Sequence, residues 1–230
     1  MIKKNHRFSD FLSGNSDIST PNVLFEPFIS KEHAESLIWR RGAHLWDTPS
    51  SYIDTLVSLS ERTESGTVFA NMQLFDNAGK KELLQSISES PMKYREIEFC
   101  AICSTQYDIS LCEKNENISF LAVYGKATSK KLPVVRMDGD IIDSILRGDE
   151  GWFAACDAEY YLAEYGSRIK IMGGLGADRI ARSSPVEIYT RIEKLAGEYK
   201  GKWACGSGGE IPNGCYLELI SLLGAYARIK

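Results

Sequence analysis

The sequence predicts one α/β domain, a compact (β/α)8 barrel that is degenerate around its fourth unit. Eight short apolar runs are spaced along the 230 residues, and helical patterns separate most of them. The last two runs frame a complete strand–helix–strand unit. Such alternation is typical of α/β folds with a parallel sheet, and eight strands favour closure into a barrel.

The strand–helix–strand unit spans residues 169–212. Ser184 is the predicted N-cap of its helix, Pro185 occupies the first helical position, and Glu187 completes a capping box. Behind them, apolar residues at every third or fourth position form a stripe that can pack on a sheet: Ile188, Ile192, Leu195 and Tyr199. Because a helix-length connection joins the two strands, we expect them to be parallel.

The eight predicted strands are 22–28, 67–73, 96–103, 118–125, 133–138, 151–157, 169–175 and 202–207. Among the helices between them, one begins at Thr48-Pro49 and another covers 78–90. Asp140 and Asp157 each fit an N-cap directly after a strand.

The fourth unit is irregular, because 126–132 is too short to hold a crossover helix between parallel neighbours. Either this unit is degenerate, or 118–125 pairs antiparallel with its neighbour. We expect the irregularity to be confined to 104–132. Residues 1–230 are predicted to form one domain, in which 1–21 is an N-terminal helical extension.

Charge and hydropathy exclude several classes of function. The formal net charge of −4 argues against a nucleic-acid or anionic-membrane partner. No apolar stretch approaches the roughly 18–20 residues of a membrane span, and the N-terminus lacks the apolar core of a signal peptide. These features predict a cytoplasmic protein.

The six cysteines do not predict disulfides, which are uncommon in cytosolic proteins. Cys100 and Cys103 form a CxxC motif inside a predicted strand. Residues three apart on a strand point to opposite faces, so this pair is not expected to chelate one metal ion.

Polar side chains at the carboxyl ends of the strands are the candidate site, because barrel enzymes hold their active sites there. These candidates are Glu26, Asn71, Gln73, Asp76, Tyr124, Lys126, Arg136, Asp138, Asp140 and Asp157. The long segment after the first strand adds Arg40, Arg41, His44, Trp46 and Asp47, and it is long enough to form a lid.

Several motifs resemble the uroporphyrinogen decarboxylase superfamily of TIM barrels, which also contains corrinoid-dependent methyltransferases. They are MGG at 172–174, SPVE at 184–187, GSGGEIP at 206–212 and PVVRMDGD at 133–140, together with the opening helix and strand in 7–28. The resemblance covers about 132–226 and does not extend through 77–131.

In the methyltransferase branch, the resemblance implies zinc ligands at three positions. This chain has Arg136 in place of the histidine, and Asp138 and Gly209 in place of two cysteines. A guanidinium cannot coordinate a cation. We therefore expect no stoichiometric zinc and no cofactor.

The decarboxylase branch uses arginines after the first strand to bind substrate carboxylates and an aspartate after the second strand to bind pyrrole nitrogens. Arg40 and Arg41 lie in the corresponding segment, and Asn71 or Asp76 lies near the aspartate position. The catalytic tyrosine and the late histidine have no counterpart, since Gly208 and Gly209 occupy the histidine's place.

Together, these features predict a cofactor-free decarboxylase acting on a small, anionic, carboxylate-bearing and tetrapyrrole-like substrate. The catalytic candidates are Asp138, Asp76 and Asn71, and the substrate-binding candidates are Arg40, Arg41, His44, Arg136, Glu26, Tyr124, Gly208 and Gly209. Two alternatives stay open: a methyltransferase that partners a corrinoid protein without the zinc triad, and a ligand-binding barrel without catalysis. A homodimer is the candidate assembly.

Several candidates also have a purely structural interpretation. Arg40 and Arg41 could form a solvated helix face, and Arg136 with Asp138 could form an internal ion pair. Asp140 and Asp157 could serve only as helix caps.

Overall fold

The computed structural model describes residues 8–12, 14, 23–24, 30–38, 44–93, 97–115, 121–123, 134–137, 141–148, 151–166, 168–206 and 214–228. The strands in them are β1 (Val23–Leu24), β2 (Thr67–Asn71), β3 (Glu98–Cys103), β4 (Leu121–Val123), β5 (Val134–Met137), β6 (Trp152–Asp157), β7 (Lys170–Gly174) and β8 (Trp203–Cys205). Each lies inside a predicted strand.

The helices in the described residues are α1 (Phe8–Leu12), α2 (Lys31–Ile38), α3 (Pro49–Thr63), α4 (Asn77–Lys93), α5 (Gln106–Cys112), α6 (Ile141–Arg147), α7 (Ala158–Tyr165), α8 (Ala177–Arg182), α9 (Pro185–Glu198) and α10 (Tyr216–Arg228). A 3-10 turn covers Met72–Leu74. None of these helices is long and apolar enough to cross a membrane.

The strands form a parallel sheet in which each strand pairs with the next one in sequence. The predicted closed (β/α)8 barrel is wrong, because no ladder joins β8 to β1 among the described residues. Closure needs a matched tilt and stagger of all strands, which alternation of strands and helices does not specify. The fold is therefore α/β, without a closed barrel.

The fourth unit keeps the parallel arrangement. β4 pairs in parallel with β5, in a register that places Leu121 beside Val134. The antiparallel alternative for this strand is therefore excluded. Residues 124–133, which connect the two strands, lie outside the described residues.

Side chains along each strand alternate between two faces of the sheet. One face packs against the helices, and its core includes Phe99, Phe153 and Trp203. The other face, called the inner face below, holds a separate cluster from β2, β3, β6, β7 and β8 (Phe69, Cys100, Ile102, Trp152, Ala154, Met172 and Ala204). Cys100 and Cys103 lie in different layers, as the strand periodicity predicted.

Helix α1 covers part of the inner face. Phe8 and Phe11 are buried in the inner cluster, and the Phe11 ring lies 5.1 Å from that of Trp152. The Trp152 indole N–H donates to the Leu12 carbonyl at 3.3 Å, and the Phe8 backbone N–H donates to the Glu98 carboxylate. Helix α1, which is the helix described within the predicted N-terminal extension, is thus integrated into the core.

Three helices begin at the capping residues that the sequence predicted. α9 has the predicted capping box between Ser184 and Glu187, with Pro185 in its first turn. α3 begins after Thr48, which is also part of a capping box. Asp157 caps α7 by accepting a hydrogen bond from the Tyr160 N–H at 3.0 Å. These predictions are confirmed.

Candidate functional site

Asn71 is one of the predicted site residues that the structure describes. It ends β2 in register with Ile102, whose side chain lies in the inner cluster, so Asn71 lies on the inner face at the carboxyl edge. Its backbone N–H donates to the hydroxyl of the fully buried Tyr52 at 2.8 Å. Its Oδ1 accepts from the Gln73 N–H at 3.0 Å.

These two hydrogen bonds fix both the backbone and the amide plane of Asn71. With Oδ1 occupied by the backbone, the amide NH2 has no partner among the described residues. The side chain is half-buried, so a ligand at the carboxyl edge can reach it. An immobilised amide donor of this kind suits an oxygen acceptor such as a carboxylate.

Asp76 lies just beyond the 3-10 turn and caps α4. Its Oδ1 accepts from the Gly79 N–H at 2.8 Å, and its side chain is exposed. Capping explains this aspartate structurally, since short acceptors at this position satisfy the free N–H groups of the first helical turn. Its second oxygen is not engaged by any described residue.

A buried ion pair joins α4 to α5. Lys80 Nζ lies 2.7 Å from Asp108 Oδ1, and Asp108 is fully buried in α5. The other Asp108 oxygen accepts from the Ser104 and Thr105 N–H groups at 3.2 Å. Burial acts to raise the pKa of the Asp108 carboxyl, but the hydrogen bonds from Lys80 and Ser104 outweigh it, and the pKa is lowered.

Sequence reasoning missed this pair, although one signal was available. Thr105 and Asp108 have the spacing of a capping box, with aspartate in place of the more usual glutamate. The pairing with Lys80 has no local signal, because 28 positions separate the two residues.

A second charged cluster lies beyond β6 and β7. Arg179 bridges Asp157 at 3.4 Å and Glu159 at 2.7 Å, and Arg191 approaches Glu159 at 3.6 Å. These contacts tie α7, α8 and α9 together across the ends of the strands. Both guanidinium groups are matched by carboxylates, so the cluster is a structural network that ligand binding would have to disrupt.

The segment before α3 is attached to that helix. His44 is exposed and pairs with Asp47, three residues later. The Thr55 hydroxyl donates to the Leu45 carbonyl at 3.0 Å, and Trp46 packs against the helix-side core. His44 is thus placed in a local turn, and its substrate-binding role stays a prediction.

Arg136 is described only through its backbone. It pairs in register with Phe153, whose side chain belongs to the helix-side core, whereas Met137 pairs with Ala154 of the inner cluster. The register therefore places positions 71 and 136 on opposite faces of the sheet. The role of Arg136 in ligand binding remains a prediction.

The remaining candidates lie outside the described residues: Glu26, Arg40, Arg41, Tyr124, Lys126, Asp138, Asp140, Gly208 and Gly209. In the part of the chain that the structure describes, no three His, Cys, Asp or Glu side chains could hold one metal ion. Two of the three positions compared with the zinc site, 138 and 209, are not among these residues, so the expectation of no zinc is untested.

Comparison with protein-family models and with curated proteins found no match for this chain. The resemblance to the uroporphyrinogen decarboxylase superfamily thus rests on the short motifs alone.

Proposed function

We propose that this chain is a cofactor-free lyase that decarboxylates a carboxylate-bearing, tetrapyrrole-like substrate, as its resemblance to the uroporphyrinogen decarboxylase superfamily implies. The observation that carries the proposal is the amide of Asn71. It lies at the carboxyl edge of the inner face, held by Tyr52 and Gln73, with its NH2 unpartnered among the described residues.

The amide supports binding of an anion. An NH2 group offers two donors, and a carboxylate offers only acceptors, so the two groups are complementary. Because the backbone already fixes the amide plane, little side-chain entropy is lost when the ligand binds. Arg40 and Arg41 would add charge to this contact, as the resemblance implies.

Decarboxylation leaves an electron pair on the substrate carbon when the C–C bond breaks, and a proton must replace the departing CO2. A protonated heterocycle can delocalise that pair without a cofactor. Asp76 or Asp138 would deliver the proton. The second oxygen of Asp76 is available for this, because only Oδ1 is needed to cap α4.

The direct test is Asn71→Asp. Aspartate keeps the oxygen that accepts from the Gln73 N–H, but it removes the NH2 donor and adds a negative charge. We expect coproporphyrin binding, measured by calorimetry, to weaken by at least about tenfold, the scale of a hydrogen bond to a charged group. The melting temperature should change little, because aspartate is as good a cap as asparagine.

Asp76→Asn is the matched control for chemistry. Asparagine also caps α4, so the fold is retained, but it cannot supply the proton. If Asp76 is the acid, uroporphyrinogen should bind normally while its decarboxylation, followed by chromatography of the products, slows by about 100-fold or more. An unchanged rate would assign the proton to another group such as Asp138.

Two outcomes would replace the proposal. Demethylation of free methylcobalamin with no decarboxylation would favour the corrinoid-linked methyltransferase. Porphyrin binding that depends on Asn71 but leads to neither reaction would favour a ligand-binding protein. Absence of porphyrin binding in the wild-type protein would contradict the proposed substrate class.

A further inference from the structure

Three sulfur atoms meet in the helix-side core behind the carboxyl edge of β2 and β3. The Cys103 and Cys112 Sγ atoms lie 3.5 Å apart. The Met72 Sδ atom lies 3.7 Å from Cys103 Sγ and 3.5 Å from Cys112 Sγ. All three side chains are fully buried, and they form a nearly equilateral triangle of sulfur.

The triangle is assembled from three elements. Met72 opens the 3-10 turn after β2, Cys103 ends β3, and Cys112 lies in the last turn of α5. Cys103 and Cys112 are 9 positions apart in the sequence, and Met72 precedes them by 31 and 40 positions. No local sequence motif therefore predicts that the three sulfur atoms meet. The parallel pairing of β2 with β3 brings these positions together.

We propose that Met72, Cys103 and Cys112 form a binding site for one Cu(I) ion in trigonal sulfur coordination. Three sulfurs at about 2.3 Å from a central ion, the usual metal–thiolate distance, lie about 4.0 Å from one another in a plane. The observed triangle needs to expand by only a few tenths of an ångström to accept the ion.

Ligand chemistry selects the metal. Thiolate and thioether sulfur are soft ligands that favour Cu(I), whereas Ca2+ and Mg2+ require oxygen. Structural zinc needs four ligands, commonly cysteine or histidine. No described His, Asp or Glu completes a group of three with these two cysteines, and the third ligand is a thioether. Zinc is thus the poorer fit.

Charge at the site is compatible with a monovalent cation. In the free protein, the hydrogen bond with Cys112 and then burial raise the pKa of the Cys103 thiol. Cysteine binds Cu(I) as the thiolate, so binding at Cys103 and Cys112 displaces two protons, and the ion neutralises one of the two thiolate charges, which lowers the cost of burying them. Of the charged groups near Cys103, the Asp108 carboxylate raises the pKa of its thiol and the Lys80 ammonium lowers it.

An entry route is provided by α5. This helix has seven residues, and helices of that length have little stability of their own. Cys112 lies in its last turn, next to the exposed Glu113 and Lys114. Local opening of this turn would expose Cys112 first.

The test uses the full reduced chain under anaerobic conditions, with Cu(I) supplied as its complex with the colorimetric chelator bathocuproine disulfonate. The expected result is one Cu(I) per chain withdrawn from the chelator, with X-ray absorption showing three sulfurs at about 2.3 Å. Cys103→Ser and Cys112→Ser should each weaken binding by at least about 100-fold, more than loss of an outer hydrogen-bonding partner costs. Cys215→Ser, which alters a half-buried cysteine outside the triangle, should retain full binding.

Met72→Leu keeps the test decisive even if the serine variants fail to fold, because leucine preserves the volume of methionine. Its Cu(I) spectrum should lose one of the three sulfurs. Failure of the wild-type protein to compete with the chelator would overturn the proposal. It would also be overturned if Cu(I) were retained equally in the serine variants, or if the Met72→Leu spectrum were unchanged.

Discussion

At the scale of single residues, Gly173 shows how closely β6, β7 and β8 approach one another. Its φ is +152°, and a Cβ atom added there would lie 1.8 Å from the Ala155 carbonyl oxygen. Its own carbonyl accepts from the Trp203 indole N–H at 2.9 Å and from the Gly206 N–H at 3.1 Å. No side chain can be accommodated without moving backbone.

We predict that Gly173→Ala lowers the free energy of unfolding by about 4 kcal/mol or more. Losses of this size are exceptional for one substitution, and they are expected here because the new Cβ would overlap the backbone of β6. Gly197→Ala is the control, because Gly197 is exposed in α9 and a Cβ there would meet nothing within 4 Å. That change should raise the free energy of unfolding by about 0.5–1 kcal/mol. Urea unfolding of both variants measures the difference, and equal stabilities would contradict the structure.

The buried carboxylate of Asp108 makes the stability of the fold depend on pH. Its lowered pKa means that the carboxylate stabilises the fold fully above the unfolded value of about 3.9 and loses this contribution as pH falls through the folded value. Asp108→Asn should cost about 2–4 kcal/mol at pH 7, because it leaves the largely buried Lys80 without its partner.

The two proteins should therefore converge in stability as pH falls from about 5 through the folded-state pKa of Asp108. Urea midpoints measured across this interval provide the check. A difference that stays constant with pH would show that Asp108 contributes through packing alone. Ser110→Ala, on the solvent side of the same helix, should leave the pH profile unchanged.

At the scale of elements, the five-residue helix α1 is too short to be stable alone and depends on tertiary contacts. Phe11 supplies one of these contacts through Trp152, 141 positions away along the chain. We predict that Phe11→Ala lowers the free energy of unfolding by about 3–5 kcal/mol, as for other buried phenylalanines. Tryptophan emission should shift to longer wavelength in the folded variant.

Leu146→Ala is the matched control for α1, since Leu146 is 78% exposed on α6. It should change stability by no more than about 0.5 kcal/mol. If Phe11→Ala were equally mild, α1 would not be part of the folding core.

At the scale of the whole molecule, the reactivity of the cysteine thiols reports which parts of the core are closed to solvent. None of the six cysteines forms a disulfide; Cys100, Cys103, Cys112 and Cys205 are buried, while Cys156 and Cys215 are half-buried. We predict that two thiols react rapidly with a chromogenic disulfide reagent in the native protein and that four more react only after unfolding. Rapid reaction of three or more thiols would contradict the packing of the two core layers.

The sequence by itself determined the strands, the starts of several helices and the alternation of faces. Ser184, Thr48 and Asp157 are caps whose signals lie within three residues, and Cys100 and Cys103 separate because a strand has a period of two. Such features depend on neighbouring residues, so a local pattern suffices to predict them.

Only the tertiary structure decided whether the sheet closes and which distant side chains meet. The prediction of a closed barrel was wrong because the number of strands does not determine their tilt and stagger in the sheet. The position of the Asn71 backbone depends on its hydrogen bond to Tyr52, and the lowered pKa of Asp108 depends on its ion pair with Lys80. The sulfur triangle depends on the packing of three separate elements. Each arises from contacts between residues far apart in the chain, and no spacing in the sequence encodes those distances.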